Sequence, residues 1–445
     1  MKIEMPSYVK NIIGTITAAG FEAFAVGGCI RDSILGRPPE DWDITTSARP
    51  EEVKALFGRT VDTGIQHGTV TVILNKRGFE VTTYRIDGKY EDSRHPSEVV
   101  FTPSLKEDMR RRDFTINAMA YNDEAGLVDE FGGISDIENH IIRCVGDARM
   151  RFTEDALRIM RAIRFSAQLG YEIEENTREA MGELKDKLKQ ISAERILTEL
   201  TKLLVSDHPD YLREAYEAGI TSVILPEFDL AMETPQNHPH HCYNVGEHIL
   251  HSLLEIPGKK ELRLAMLFHD IGKPDTYTID QNGMTHFNGH ARISANKAVQ
   301  ILKRLRSDNQ TIRRVENLVL YHDFGYEARP DKAKVRRTIH RIGEEYFPDV
   351  FAVKRADILA QSEYKREEKL ARLAEWEQLY EEIIKEQECI SLKDLAVTGA
   401  DLIAAGMKPG KVIGETLNRL LDLVLENPAY NSREYLLNQV YMEKS

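Results

Sequence analysis

The spacing of apolar residues changes near residue 145, and no other feature constrains the fold of this 445-residue chain as tightly. Before that point helical and strand patterns alternate; after it strand signals almost vanish and one helical pattern follows another. Val9, Ile12, Ile13 and Ile16 recur at helical spacing, Gly20 closes that helix, and FEAFAV then shortens to a strand period. GTVTVIL (68–74), the turn NKRG and FEVTTYR (79–85) predict a hairpin. The expected fold class is therefore α+β, a mixed α/β head with a small antiparallel-type sheet followed by all-helical parts. Breaks at SDHPD (206–210) and METPQNHPHH (232–241), and a charged helical stretch over 362–388, divide the chain further. The expected divisions are a head over 1–145, a helical neck and body over 146–230, a second helical domain over 231–365 and a helical tail over 366–445.

Composition excludes several classes. No apolar run reaches the 18 or more residues of a membrane span, and the start MKIEMPSYVK lacks a signal-peptide core, so a soluble cytoplasmic protein is expected. Cys29, Cys144, Cys242 and Cys389 are scattered without a CxxC, which argues against a disulfide framework or a zinc knuckle and for small buried residues. The net charge of -13 argues against a general cationic coat. A local balance of +3 between Arg143 and Arg164 marks where a polyanion would be held.

Within the head, FAVGGCIRDSILGRPPEDWDI (24–44) carries a glycine pair, a basic turn and, thirteen positions after Gly28, the carboxylates Asp41 and Asp43. They fall in a β-type run with Trp42, Ile44, Thr45 and Thr46, and residues two apart on a strand share a face. At ~6 to 7 Å and an effective dielectric of ~20, two such charges repel by roughly 2 to 3 kcal/mol, a cost that a divalent cation reverses. Magnesium suits this layout, since it takes one or two carboxylates together with phosphate oxygens. Gly27 and Gly28 let backbone approach a triphosphate, and Arg31 meets its charge. The bland alternative is a strand-turn-helix with a surface Asp-x-Asp. Glu80 on the hairpin is a candidate third carboxylate or a solvated edge residue.

The pattern over 153–169 predicts one helix, capped by Thr153 and ended by Gly170, with Ala156, Ile159, Met160, Ile163 and Ala167 as its apolar stripe. Asp155, Arg158 and Arg161 then fall opposite that stripe and face a cleft or solvent. They form either an ordinary ion pair on a wet face or a base-reading edge. Cytosine and adenine present an amino donor beside a ring-nitrogen acceptor, which a carboxylate next to a guanidinium complements, whereas guanine and uracil do not.

The motifs VGGCIRD, DWDI, RRRDFTINAMAY (110–121), FTEDALRIMRAIRF (152–165) and ISAERILTEL (191–200), in this order, resemble the bacterial class II tRNA nucleotidyltransferases, that is, CCA-adding enzymes and bacterial poly(A) polymerases. The resemblance spans roughly residues 20–230. It implies that Asp41 and Asp43 bind Mg2+, that Gly28 and Arg31 hold triphosphate, and that Arg112, Asp155, Arg158, Arg161 and Arg164 contact the incoming CTP or ATP. Its implied activity is template-independent addition of C, C and A to the tRNA 3′ end. YEDSRHP (90–96) resembles the flexible loop of enzymes that switch from C to A. Two alternatives within the class are a poly(A) polymerase and an enzyme adding part of CCA. From other classes come a regulatory protein-modifying nucleotidyltransferase and a silent RNA-binding scaffold.

A second constellation lies in the helical part: His248, His269 and Asp270 at the end of LRLAMLFHDIGKP, His290, His322 and Asp357. Imidazoles and carboxylates gathered on helices make a mixed nitrogen and oxygen site for a divalent metal. His248, His269, Asp270 and Asp357 resemble the ligand set of the HD phosphohydrolase superfamily, and His290 and His322 suit a second ion. His238, His240, His241, His251 and His286 lie near enough in sequence to compete for these places. The resemblance implies phosphatase or 2′,3′-cyclic phosphodiesterase activity; the alternative is a domain that only shapes an RNA cradle. The C-terminal stretch 397–428 also resembles the family's tail, and its turn KPGK (408–411) is either a phosphate contact or a packing turn.

Overall fold

The structure, a computed structural model, describes residues 1–88, 99–325 and 328–442. It divides into two compact units, Met1–Pro226 and Glu227–Ser445. The YEDSRHP segment lies outside the described residues.

The first unit is built on a seven-stranded sheet. Its strands are β1 (Ala23–Val26), β2 (Ile44–Thr46), β3 (Thr60–Gly64), β4 (Thr69–Leu74), β5 (Arg77–Thr83), β6 (Ala120–Asn122) and β7 (Gly126–Val128), in the order β3-β4-β5-β2-β1-β6-β7. All neighbours are antiparallel except β2 and β5, where Ile44 pairs Val81 in parallel. The expected hairpin is β4–β5, closed by Asn75 and Lys76, both with positive φ (50° and 68°), as a two-residue turn matched to the strand twist requires. Helix Ser7–Ala18 lays Val9, Ile12, Ile13 and Ile16 on the sheet and buries all four, each worth about 1.5 to 3 kcal/mol.

Past residue 145, only two-residue strands interrupt the helices among the described residues. The helix expected over 153–169 is broken. Asp147, not Thr153, caps a helix Ala148–Glu154 by accepting from Met150 N at 3.0 Å, Asp155 turns extended (φ -136°, ψ 103°), and a second helix runs Leu157–Leu169. The break has a local cause: the Asp155 carboxylate accepts from Leu157 N at 3.0 Å, a capping bond that competes with helix continuation. Gly170 ends the second helix in the left-handed region (φ 71°), and the expected apolar stripe is buried.

The second unit is helical. Arg336, 3 % exposed, sends Nε to Leu425 O at 2.6 Å and Nη2 to Glu426 O at 2.9 Å, taking up terminal carbonyls of helix Lys411–Glu426. Leu402, Leu420, Leu421, Val424, Leu425 and Leu436 form the local core there. Cys29, Cys144 and Cys389 are buried as expected, whereas Cys242 is exposed. Among the described residues no helix is long and apolar enough to cross a membrane.

Candidate functional site

β1 runs straight into Gly27, whose φ of 87° excludes most side chains; a Cβ there would also meet Arg112 Nη1 at 3.1 Å. The glycine turn therefore brings Arg112 up behind the backbone. Asp41 and Asp43 lie in the approach to β2 rather than within it, since the strand proper begins at Ile44. Their geometry is strand-like all the same: Asp43 O accepts from Val26 N at 3.0 Å, and Trp42 and Ile44 are buried while Asp41 and Asp43 are exposed. Both carboxylates thus stand on one face. The β2–β5 register sets Glu80 beside Asp43.

Asp43 reaches solvent, yet the protein atoms crowding its carboxyl raise its pKa; Arg112 opposes that rise and Asp41 adds to it. Burial also raises Glu80, helped by Asp43 and Asp41. Asp43 and Glu80, both raised in the presence of neighbouring carboxylates, form with Asp41 a site that a divalent cation would stabilise.

Asp41 and Asp43 share a cleft of ≈ 610 Å³ with Gly28, Arg31, Arg164 and Lys202. Each arginine is held. Arg31 donates Nη1 to Asn117 Oδ1 at 2.8 Å, and Asn117 donates in turn to Asp113 Oδ1 at 3.2 Å. Arg161 donates Nε to Asp113 Oδ2 at 2.8 Å, and Arg164 pairs with Glu199 and donates to Gln168 Oε1 at 2.7 Å. Arg112 lies 3.7 Å from Asp108. Gly28, Arg31 and Arg164 therefore join the two aspartates in the cleft, while Arg112 and Arg161, held at Asp108 and Asp113, are not among its lining residues.

The Asp155–Arg158 expectation needs correction. The helix break removes the shared face, so the two residues are no longer three apart on one helix. Asp155 accepts from Arg195 Nη2 at 3.0 Å. Arg158 is buried, not turned to a cleft, and donates to Arg151 O (3.1 Å), Glu154 Oε2 (2.7 Å) and Arg111 O (2.8 Å). Arg195, Glu154, Asp113, Asn117 and Glu199 are contact partners of the candidate residues that spacing did not single out.

In the second unit the six expected ligands converge. The nitrogen and oxygen atoms of His248, His269 and Asp357 lie within 4.8 Å of one another, as do those of Asp270, His290 and His322. Asp270 joins the groups: Oδ2 lies 3.3 Å from His269 Nε2 and 3.5 Å from His248 Nε2, and Oδ1 lies 3.3 Å from His290 Nε2 and 3.7 Å from His322 Nε2. His269, His290 and His322 each share Nδ1 with the carbonyl three residues back (Met266, Phe287 and Val319) at 2.7 to 2.8 Å. That contact fixes the tautomer, leaving Nε2 as a lone-pair donor. Burial, with His290 and His269 nearby, lowers His322 to about 3, so its ring is neutral and ready to ligate. Although burial opposes it, Asp270 is held well below the carboxylate range by His269 and Lys273. The donor set fits two divalent ions of the first transition row.

Lys273 Nζ lies 2.6 Å from Asp270 Oδ2, and Lys354 Nζ 3.0 Å from Asp357 Oδ2. Both lysines were missed, although each sits one helical turn from its aspartate in sequence, a readable signal. They line a ≈ 320 Å³ pocket over the ligands with His238, His240, His241 and His286, the competing histidines. His251 instead stacks on Tyr243 at 4.0 Å.

Comparison with known proteins bears on both units. The family described as "Poly A polymerase head domain" matches residues 23–143, "Probable RNA and SrmB- binding site of polymerase A" matches 170–232, and "tRNA nucleotidyltransferase domain 2 putative" matches 280–440. A CCA-adding enzyme of Lactobacillus helveticus is 34% identical over 97% of this chain and 95% of its own. The chain belongs to the CCA-adding enzyme family. Another member, from Limosilactobacillus fermentum, is 36% identical over 98% of both chains. Among solved structures, the Bacillus stearothermophilus CCA-adding enzyme in complex with CTP matches with a TM-score of 0.74 at 27% identity, covering 99% of each chain. Family membership thus extends past the 20–230 span of the motifs to the whole chain.

Proposed function

We infer that this protein adds C, C and A to the 3′ end of tRNA from CTP and ATP without a nucleic-acid template. The observation that carries the reading is the single cleft in which Asp41 and Asp43 face Arg31 and Arg164, in a chain related along its whole length to CCA-adding enzymes. Those full-length relatives favour CCA addition over the poly(A) alternative. A tRNA substrate supports the cytoplasmic location expected from the sequence.

Asp41 and Asp43, with Glu80 beside them, are the residues to hold Mg2+, which would supply charge neutralisation at the α-phosphate and a more acidic primer hydroxyl. Arg31 and Arg164 bind and orient the triphosphate and stabilise the departing pyrophosphate, and Gly28 lets backbone approach it. Arg112, behind Gly27, balances charge at Asp43. Base selection falls to Asp155 and Arg158, which must trade Arg195 and Glu154 for the pairing edge of cytosine or adenine. Arg161 is held for the same nucleotide by Asp113.

The test is to incubate the protein with tRNA lacking its terminal triplet, offering nucleotides singly and together, and to sequence the ends. Addition that stops after three residues supports the reading. A long A tract, or unaltered RNA, overturns it.

The second unit carries a further part of the proposal, a metal-dependent phosphohydrolase acting on phosphate esters such as a 2′,3′-cyclic phosphate. Support comes from Asp270 standing between two complete ligand groups beneath an open pocket. Two ions there would supply a metal-activated water and charge neutralisation. Lys273 and Lys354 are placed to steady phosphate charge. Asp270→Ala should abolish cyclic phosphate cleavage and spare end addition; cleavage that survives the change refutes the assignment.

A further inference from the structure

Phe165 is 6 % exposed, on helix Leu157–Leu169, and three guanidinium carbons lie over its ring: Arg164 at 3.8 Å from the centroid, Arg31 at 5.0 Å and Arg161 at 5.3 Å. We propose that this ring is the positioning residue of the polyphosphate grip, aligning the three arginines as one array for the nucleotide's phosphates. The inference deepens the end-addition reading and rests on it.

Three observations carry it. First, part of the N–H edge of each guanidinium is already engaged: Arg31 by Asp32 and Asn117, Arg161 by Asp113, and Arg164 by Glu199 and Gln168. Those bonds fix each group in its plane and leave the flat faces to be held, which an aromatic face does and an aliphatic side chain does not. Second, the ring links separate parts of the fold. Arg31 follows β1 in the head, whereas Arg161 and Arg164 precede Phe165 on the neck helix. Phe114 meets the same ring edge-on at 5.8 Å and 80°, which fixes its tilt. Third, Arg164, whose guanidinium lies nearest the ring, carries a charge that its surroundings oppose. Burial lowers its pKa and Arg161 depresses it further, against Glu199, and the negative quadrupole of the ring 3.8 Å away offsets that repulsion. Arg31 and Arg164 then line the cleft that holds Asp41 and Asp43.

The experiment compares the full chain with Phe165→Leu, which keeps an apolar side chain without a π face, and Phe165→Tyr, which restores one. Inorganic tripolyphosphate and CTP are titrated calorimetrically, and KM and kcat are measured for CTP and ATP. We expect Phe165→Leu to weaken tripolyphosphate and CTP by about tenfold each, with KM for both nucleotides rising in step, kcat changing less, and C-then-A order retained. Phe165→Tyr should restore binding to within about threefold of the native chain. A folded Phe165→Leu chain that binds tripolyphosphate as the native chain does would overturn the proposal, as would a Phe165→Tyr chain no better than Phe165→Leu. Should Phe165→Leu fail to fold, fluorinated phenylalanines at 165 keep the shape and drain the ring face stepwise. Affinity should fall with each fluorine, and a flat series refutes the role. The titration uses no RNA, so its failure is separable from a failure of the native chain to extend tRNA.

Discussion

Asp113 offers the sharpest test of how the nucleotide site is held together. It is 8 % exposed and accepts from Phe114 N at 2.8 Å, Asn117 Nδ2 at 3.2 Å and Arg161 Nε at 2.8 Å, and through Asn117 it reaches Arg31. Asp113→Ala leaves these donors without an acceptor. Breaking a buried ion pair from one side costs about 3 to 5 kcal/mol. The Arg161 side chain is 34% exposed, so water screens part of the orphaned charge and the lower figure applies, about 3 kcal/mol. For a unit of this size that lowers its melting temperature by roughly 6 to 12 °C. The sign with pH follows from the same contacts. Burial alone would raise Asp113, but Arg161, then Arg158 and Phe114 N, hold it below the ordinary carboxylate range. Its contribution is therefore complete above the unfolded pKa of about 4 and is lost as pH falls below that value toward the folded one. The assay is thermal unfolding of the native, Asp113→Ala and Asp113→Ala/Arg161→Leu chains between pH 7 and 3. The double variant should recover part of the loss, and the gap between the native and single-variant curves should begin to narrow only as pH falls below about 4. A single variant within 1 kcal/mol of native at pH 7, or a double variant no better than the single, would refute the argument.

Four further outcomes follow from the two sites. Asp43→Asn should lower nucleotide incorporation by at least about a thousandfold while leaving the melting curve in place, because it removes a metal ligand from an exposed position. Asp155→Asn should narrow discrimination of C and A against G and U by about 1 to 3 kcal/mol, read from single-nucleotide addition rates; unchanged ratios would remove Asp155 from base selection. Titrating Mn2+ into metal-free protein should stabilise the second unit by about 2.7 kcal/mol for each ion bound at a hundredfold excess over its Kd, and Asp270→Ala should erase both equivalents because its two oxygens serve both ligand groups. Arg336→Leu should destabilise the tail by about 3 kcal/mol, seen as faster amide exchange in helix Lys411–Glu426, since it strips the hydrogen bonds from Leu425 O and Glu426 O and leaves Glu388 with Lys332 at 3.4 Å as its remaining cation.

The parts of this fold that were legible in the sequence are those written by neighbours. The stripe Val9–Ile16, the hairpin 68–85 and the end at Gly170 depend on spacing within one element, and the structure keeps them. The convergence of the six candidate ligands of the second unit was readable for a related reason. His269 and His322 follow directly on the last residues of helices, so helix termination itself brings the carbonyl three residues back against each Nδ1, whereas His290 opens a helix and meets the Phe287 carbonyl of the preceding loop. Local sequence thus dictated both where the ligands stand and which nitrogen they offer.

The arginines obey the opposite logic. Helical period alone put Arg158 on a wet face, yet it is buried, because Asp155 breaks the helix with a capping bond that competes with the period and Glu154 and the carbonyls of Arg151 and Arg111 draw the guanidinium inward. Arg31 finds Asn117 across 86 residues, Arg161 finds Asp113 across 48 and Arg164 finds Glu199 across 35. A guanidinium has five donors and settles where acceptors converge, so its direction is decided by tertiary packing and by no pattern within its own helix. The motif could nominate arginines for the nucleotide, but their common hub at Phe165 exists only once the head and neck have folded together. A substitution at Asp113 or Glu199 should therefore disturb the phosphate grip without touching phosphate, which is how a site assembled by long-range acceptors differs from one written along a helix.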